Sequence, residues 1–351
     1  MPGSRIVQRV VAVLVAVVLF GTACGGGSST PSSPTDIGGG LRGPAGLSAS
    51  LYASGLVHIS AIAFDGDGRL WAATADYSDS GKDGVYVVAS AGATPTKVID
   101  ALHTPLGLLW IDQMLYVASK EKVETYTGFD GTTFAGHTTV VALPADVGEV
   151  NGLVRAPNGR IQLGISAPCD HCTPKLEQSA AVISFAPDGT DQRVDASGIR
   201  APIGLAYYPG TDDLFVTMNQ RDDLGDATPG DWLSLVRSGQ SWGFPDCYGQ
   251  GGAPCTGVPS PVAVLDPHAA VDGVAIVTGQ LGSSVGRAAI VTEWATGAVL
   301  RVDLSKKGSA YAGTVTTFLT GMKNPVPVAL AGRALYTGDW TTGTIYRITP
   351  R

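Results

Sequence analysis

Charge is scarce in this chain, and what there is leans acidic. Of 351 residues only 15% are charged, with 23 Lys and Arg against 30 Asp and Glu. A net charge of −7 speaks against nucleic acid as a partner, because binding it requires a basic surface that displaces counterions from phosphates. The apolar run from Val10 to Phe20 is well short of the roughly 20 residues that a membrane-spanning helix requires. Histidine is rare, with five in the chain and none between His137 and His171. Cysteine is rare too, and no second pair of ligands accompanies Cys169-Asp170-His171-Cys172, so half a zinc site there would have no other half.

What is abundant is glycine, 47 residues among many short apolar runs. Such a chain favours an all-β architecture, and its length is ample for a sizeable core. The first residues place Arg5 and Arg9 ahead of the apolar run, as in a secretory signal spanning residues 1–23. Gly21-Thr22-Ala23-Cys24 resembles a bacterial lipobox, with Gly21 where that pattern prefers Leu. Residues 24–40, rich in Gly, Ser and Pro, read as a flexible tether behind a lipidated Cys24. The chain is thus expected to be exported and held at the extracytoplasmic face of the cell membrane by lipid rather than charge. In an exported protein the remaining cysteines read as two loop-closing disulfides, Cys169 with Cys172 and Cys247 with Cys255.

From residue 41 onward one pattern recurs: an apolar strand, a turn rich in Gly, Asp or Asn, and a second apolar strand. Ile62–Ala72 is the first copy and Gly204–Val216 the fourth. The second strands begin at Leu70, Leu115, Ile161, Leu214, Ala289 and Leu335. Their spacing, about 45–55 residues apart from one longer step, is that of propeller blades. The last copy ends at Thr344–Ile348, one strand short, and Leu47–Ala53 can complete it and pair the exposed edge. A single six-bladed β-propeller over 41–351, its ring closed by the N-terminal strand, is therefore expected.

In a propeller the residues just before each first strand meet at the channel mouth. Those positions hold His58, His103, Glu149 with Asn151, Arg200, His268 with Asp272, and Lys323 with Asn324. Convergence of His, Arg, Lys and carboxylates suits a polar ligand and proton transfer; the simpler reading has the histidines bonding backbone carbonyls inside the ring. A second cluster, Arg221–Asp226 with Asp231, offers oxygen donors for a hard cation such as calcium, or side chains that cap a solvated turn.

The order of motifs from Arg200 to Cys255 resembles the glucose/sorbosone dehydrogenase family of quinoproteins. The pieces that match are Arg200, Pro202, Gly204–Ala206, Asn219, Arg221–Asp226 and Trp242–Gly249, and a looser likeness extends over most of 41–351. The resemblance implies pyrroloquinoline quinone (PQQ) and calcium in the channel mouth, a sugar or polyol substrate, and an electron acceptor that the sequence does not identify. It assigns Arg200, His268, Lys323, Asn324, His58 and His103 to the cofactor wall, and Gln220, Arg221, Asp222 and Asp223 to the metal. A Cys-x-x-Cys is also a family feature. The family's catalytic histidine falls at Gly148, which leaves Glu149 as the nearest titratable group and as the candidate base. Ala201 and Gln220 also depart from the family pattern, which has Asn and Gly there. Two alternatives follow: a propeller that binds a ligand or partner without turnover, and a calcium-dependent lactonase using Glu149, Asn151 and Asp272.

The lipid-anchor expectation has a direct check. Cys24→Ala should move the protein from the membrane fraction to the soluble fraction, because the rest of the chain is acidic and polar. Unchanged membrane retention would contradict it.

Overall fold

The computed structural model describes residues 34–351; the signal segment, Cys24 and most of the expected tether lie outside the described residues. Six antiparallel sheets follow one another around a ring. The second strands start at the sequence anchors or within two residues of them: Leu70–Thr74, Met114–Ser119, Ile161–Ile165, Leu214–Met218, Arg287–Glu293 and Ala334–Asp339. In the sixth blade Leu47–Ala53 pairs antiparallel with Thr344–Pro350, so the ring closes as the repeat count predicts and the edge of that blade is paired. Among the described residues no helix is long and apolar enough to cross a membrane.

Burial explains why the pattern is legible. Second strands such as Leu70–Thr74 and Leu214–Met218 are buried at every position, whereas outer strands such as Phe134–Ala142 are largely exposed. Six apolar clusters lie between neighbouring blades, for example Tyr116, Val123, Ile161 and Phe185 between the second and third. The channel-facing strands are Ile59–Phe64, Gly107–Ile111, Val150–Arg155, Pro202–Tyr207, Val271–Thr278 and Pro325–Ala331. A glycine recurs near the start of four of them. A Cβ on Gly152 would stand 2.6 Å from the Ile203 carbonyl oxygen, and one on Gly273 2.8 Å from that of Val326. Gly107 and Gly204 meet the carbonyls of Asn151 and Asp272 in the same way. Each glycine lets the next blade's inner strand come close.

Side chains stitch the same seams. Ser60 Oγ donates to the Pro105 carbonyl at 2.6 Å, Thr217 Oγ1 to that of Asp272 at 2.6 Å, and Thr292 Oγ1 to that of Val326 at 2.6 Å. Asn151 Nδ2 donates to Pro202 O at 3.0 Å. These buried bonds satisfy carbonyls that the bulged inner strands leave unpaired.

Two elements differ from the sequence expectation. Thr35–Gly38, read as the end of the tether, forms a strand paired with Leu41–Gly43. Ile37 and Leu41 are buried in the cluster between the fifth and sixth blades, and Arg42 exchanges backbone bonds with Thr320. Burial of those two side chains extends the folded domain to residue 35. The long fourth blade carries the cysteine corner, where Cys247–Cys255 is bonded, as is Cys169–Cys172. Gln240–Ser241 of that insertion adds a parallel fifth strand to the third blade, and Trp242 is buried beside Trp232.

Gly204→Ala should lower stability by about 1–3 kcal/mol through overpacking against the next blade. Gly66→Ala, where nothing lies within 4 Å, should be neutral or slightly stabilising. Chemical denaturation of both variants distinguishes a seam constraint from a general intolerance of glycine replacement.

Candidate functional site at the channel mouth

Two adjoining cavities occupy the channel, one of about 400 Å³ and one of about 620 Å³ at the mouth. Both are lined in part by Tyr77, Glu149, Ile203 and Asn219. The inner one adds Ser60, Asn151, Asp272, Trp294 and Trp340, and the outer one Asp79, Lys120 and Arg200.

Of the residues expected at the mouth, Glu149 and Arg200 reach the cavity walls together with Asn151 and Asp272. His58, His103, His268, Lys323 and Asn324 are not among the lining residues. His58 stacks on Trp340, with ring centroids 4.2 Å apart. His103 turns to Asp79 at 2.9 Å, which also accepts from Lys120. Asn324 donates to the Trp294 carbonyl and accepts from Thr341, and Lys323 is exposed on the rim.

Arg200 is already engaged. Its Nη2 donates to Asp170 Oδ1 at 2.6 Å and its Nε to Asp170 O at 2.9 Å, while Nη1 reaches Asn219 O at 3.3 Å. Asp170, inside the Cys169–Cys172 loop, also accepts from the backbone N–H groups of Asp222 and Asp223. The acidic loop is neutralised from within. Arg221 pairs with both carboxylate oxygens of Asp223, at 2.5 and 2.6 Å, and its guanidinium lies over the Tyr248 ring. His268 Nδ1 lies 2.6 Å from Asp222 Oδ1, and its Nε2 2.8 Å from the Gly225 carbonyl. The hydrogen bond to Asp222 raises the His268 pKa, and that to Arg221 lowers the Asp223 pKa. Gln220 gives its N–H to Asp231 and its Nε2 to the Tyr248 carbonyl. Of the four residues expected to hold a metal, two carry carboxylates, and each is engaged by a side-chain partner, Asp223 by Arg221 and Asp222 by His268. Among the described residues, no three His, Cys, Asp or Glu side chains are grouped as metal ligands.

Gly148 has φ +104, and a Cβ there would fall on the Ser166 carbonyl. No side chain fits at this position, so the absence of histidine is built into the backbone. Glu149 opens into the cavity, yet the surrounding protein strips bulk solvent from its carboxylate and raises its pKa, with Arg200 opposing. Burial, then the nearby Glu149, raises Asp272 well above the ordinary carboxylate range. Tyr77 is more than half exposed to the cavity, yet the protein packed around its phenol and the same two carboxylates push its pKa up.

Sequence reasoning missed the other half of the rim. The residues that follow each second strand also face the mouth: Asp76 and Tyr77, Lys120, Ser166, Asn219, Trp294 and Trp340. The signal was available, since each lies just past a legible strand. Trp294 and Trp340 occupy equivalent places in the fifth and sixth blades, and their rings meet edge to face at 6.0 Å.

Two buried acids behind the mouth give a pH signature. Burial pushes Glu293 up to about 7 and Asp231 up to about 6. Groups with raised folded-state pKa values stabilise the fold at low pH, and that contribution is lost as pH rises through those values. Thermal stability should therefore fall between about pH 4 and about pH 7. Glu293→Gln keeps a partner for Thr296 and should shrink that fall; an unchanged profile would show that Glu293 does not titrate in this range.

A scan against protein-family models gives no match, and neither does a search of curated proteins. Solved structures do match. The holo form of the pyranose dehydrogenase PQQ domain from Coprinopsis cinerea superposes with TM-score 0.72 at 15% identity, over 88% of this chain and 97% of that one. A calcium structure of a Trichoderma reesei enzyme of carbohydrate-active family AA12 gives 0.74 at 16%, over 92% and 100%. The PQQ-bound aldose sugar dehydrogenase from Streptomyces coelicolor gives 0.68 at 19%, over 88% and 99%. This chain has the six-bladed β-propeller fold of these enzymes, the fold that its own repeats and motif order lead one to expect.

Proposed function

We propose that the protein is an exported, lipid-anchored propeller built on the fold of the quinoprotein sugar dehydrogenases, and that its channel mouth binds a sugar or polyol. One observation carries the ligand class: Tyr77, Trp294 and Trp340 line the same cavity as Glu149, Asn151 and Asp272. Aromatic faces take the apolar C–H side of a sugar ring, and carboxylates and amides take its hydroxyls. Such a ligand is neutral, and the cavity walls are acidic. Asp76, Asp79, Glu121, Asp146, Glu149 and Asp272 stand against two cations, Lys120 and Arg200, and each cation is paired with an aspartate.

The same geometry tests the quinone. Its flat ring matches the aromatic wall, but its three carboxylates would face this acidic surface with no unpaired cation in the lining. The donor set does not fit that group. The second reading, oxidation of the bound sugar, is favoured by the motif order from Arg200 to Cys255 and by the shared fold. In that reading Glu149, with its raised pKa and access to the cavity, is the base.

Tryptophan fluorescence and calorimetry with a panel of sugars and polyols test the proposal. Trp294→Ala, a partly exposed position, should weaken binding of the best ligand about 10-fold, the scale of one lost aromatic contact. Absence of any binding at millimolar concentration would sink it. Adding PQQ, calcium and a redox dye decides the second reading. Sugar-dependent dye reduction that Glu149→Gln slows by about 100-fold supports oxidation, and no reduction leaves binding as the function.

A further inference from the structure

The acidic channel raises a question that sugar binding leaves unanswered: what compensates the oxygens at its floor. Asn151 is fully buried. Its Nδ2 donates to Ser166 Oγ at 2.9 Å and Pro202 O at 3.0 Å, which fixes the amide and leaves Oδ1 with no protein donor. Asn219 Oδ1 is also buried without a donor. A buried acceptor without a partner typically costs about 1–3 kcal/mol, and two bordering one cavity form a pattern that requires an explanation. Glu149 and Asp272 border that cavity too, and no hydrogen bond contributes to the state of either carboxylate. Arg200, the cation whose charge reaches Glu149, is turned to Asp170 and does not fill the gap.

We infer that Glu149, Asn151, Asn219 and Asp272 form a calcium-class cation site at the channel floor, distinct from the 220–226 loop. Calcium takes about six to eight oxygens and accepts amide carbonyls as readily as carboxylates. Four side chains would satisfy both orphaned amide oxygens and balance two carboxylates, while leaving coordination positions open towards Trp294 and Trp340. Those positions suit water or vicinal hydroxyls of a polyol. The acidic loop cannot serve the same role, because Arg221 and His268 already occupy Asp223 and Asp222. The inference rests on these oxygens alone and holds whether or not the mouth binds sugar.

The experiment uses full-length, chelator-treated protein titrated with calcium by calorimetry, and with terbium, whose luminescence is sensitised by nearby tryptophan. Calcium should bind one site with a dissociation constant between about 10⁻⁶ and 10⁻³ M and quench the terbium signal by displacement. Glu149→Gln and Asp272→Asn, both on cavity-facing side chains, should each weaken binding at least about 10-fold. Asp222→Asn and Asp223→Asn should leave it within about 2-fold. Circular dichroism melts confirm that each variant is folded, and Glu149→Asp, which keeps the charge, should recover part of the affinity. No saturable calcium binding up to millimolar concentration overturns the inference. So does binding lost in the Asp222 and Asp223 variants but kept in those of Glu149 and Asp272.

Discussion

Everything at the channel depends on how closely six inner strands can approach one another. Gly107, Gly152, Gly204 and Gly273 each face a carbonyl of the next blade at a separation that a Cβ would not permit. The same carbonyls then need donors, and Thr217 and Thr292 supply them. Asn151 likewise donates across a seam, to the Pro202 carbonyl of the next blade, but with one end of its amide only. Its other end faces an environment without a donor, so the constraint that closes the ring also delivers an oxygen to the channel. Packing and site chemistry meet in one side chain.

The segment from Arg200 to Cys255 is organised by a different principle, internal charge balance. Asp170 holds Arg200 and two backbone N–H groups of the acidic loop, Arg221 holds Asp223, and His268 holds Asp222. Each of these salt bridges has a partner open to solvent and contributes little individually; their effect here is to fix the loop against the Cys169–Cys172 segment and His268. Residues that a motif reading takes for cofactor and metal contacts thus act as a clasp between the Cys169–Cys172 loop, the acidic loop and the rim. What they leave free is the ring of Tyr77, Trp294 and Trp340, with the oxygens beneath it.

The fold was legible because the repeat is periodic and its signal is burial. Strands such as Leu70–Thr74 and Leu214–Met218 are apolar throughout, and the short sixth blade announces its missing strand. Ile37 escaped notice because one buried side chain within a Gly, Ser and Pro run carries no period. The site was half legible. Glu149 and Arg200 precede inner strands, Asn151 and Asp272 are the second residues of theirs, and all four reach the cavities or their walls, but His103 and His268 precede inner strands equally and turn to Asp79 and Asp222. Sequence position selects a place on the rim and not the direction of a side chain. Pairing of Arg200 with Asp170 spans 30 residues and depends on the loop that Cys169–Cys172 closes, so no local pattern could reveal it. Gly148 shows the reverse case: a missing histidine is visible in sequence, and its physical reason is a positive φ beside the Ser166 carbonyl.

We place the working chemistry of this propeller at the channel floor and its aromatic rim rather than in the acidic loop. A crystal structure of the protein grown with calcium and a bound sugar or polyol, with anomalous scattering used to locate the metal, tests that claim most directly. One anomalous peak is expected among the oxygens of Glu149, Asn151, Asn219 and Asp272, with the ligand against Trp294 and Trp340. A peak among Gln220, Arg221, Asp222 and Asp223, with Arg200 released from Asp170 to meet the ligand, would contradict it.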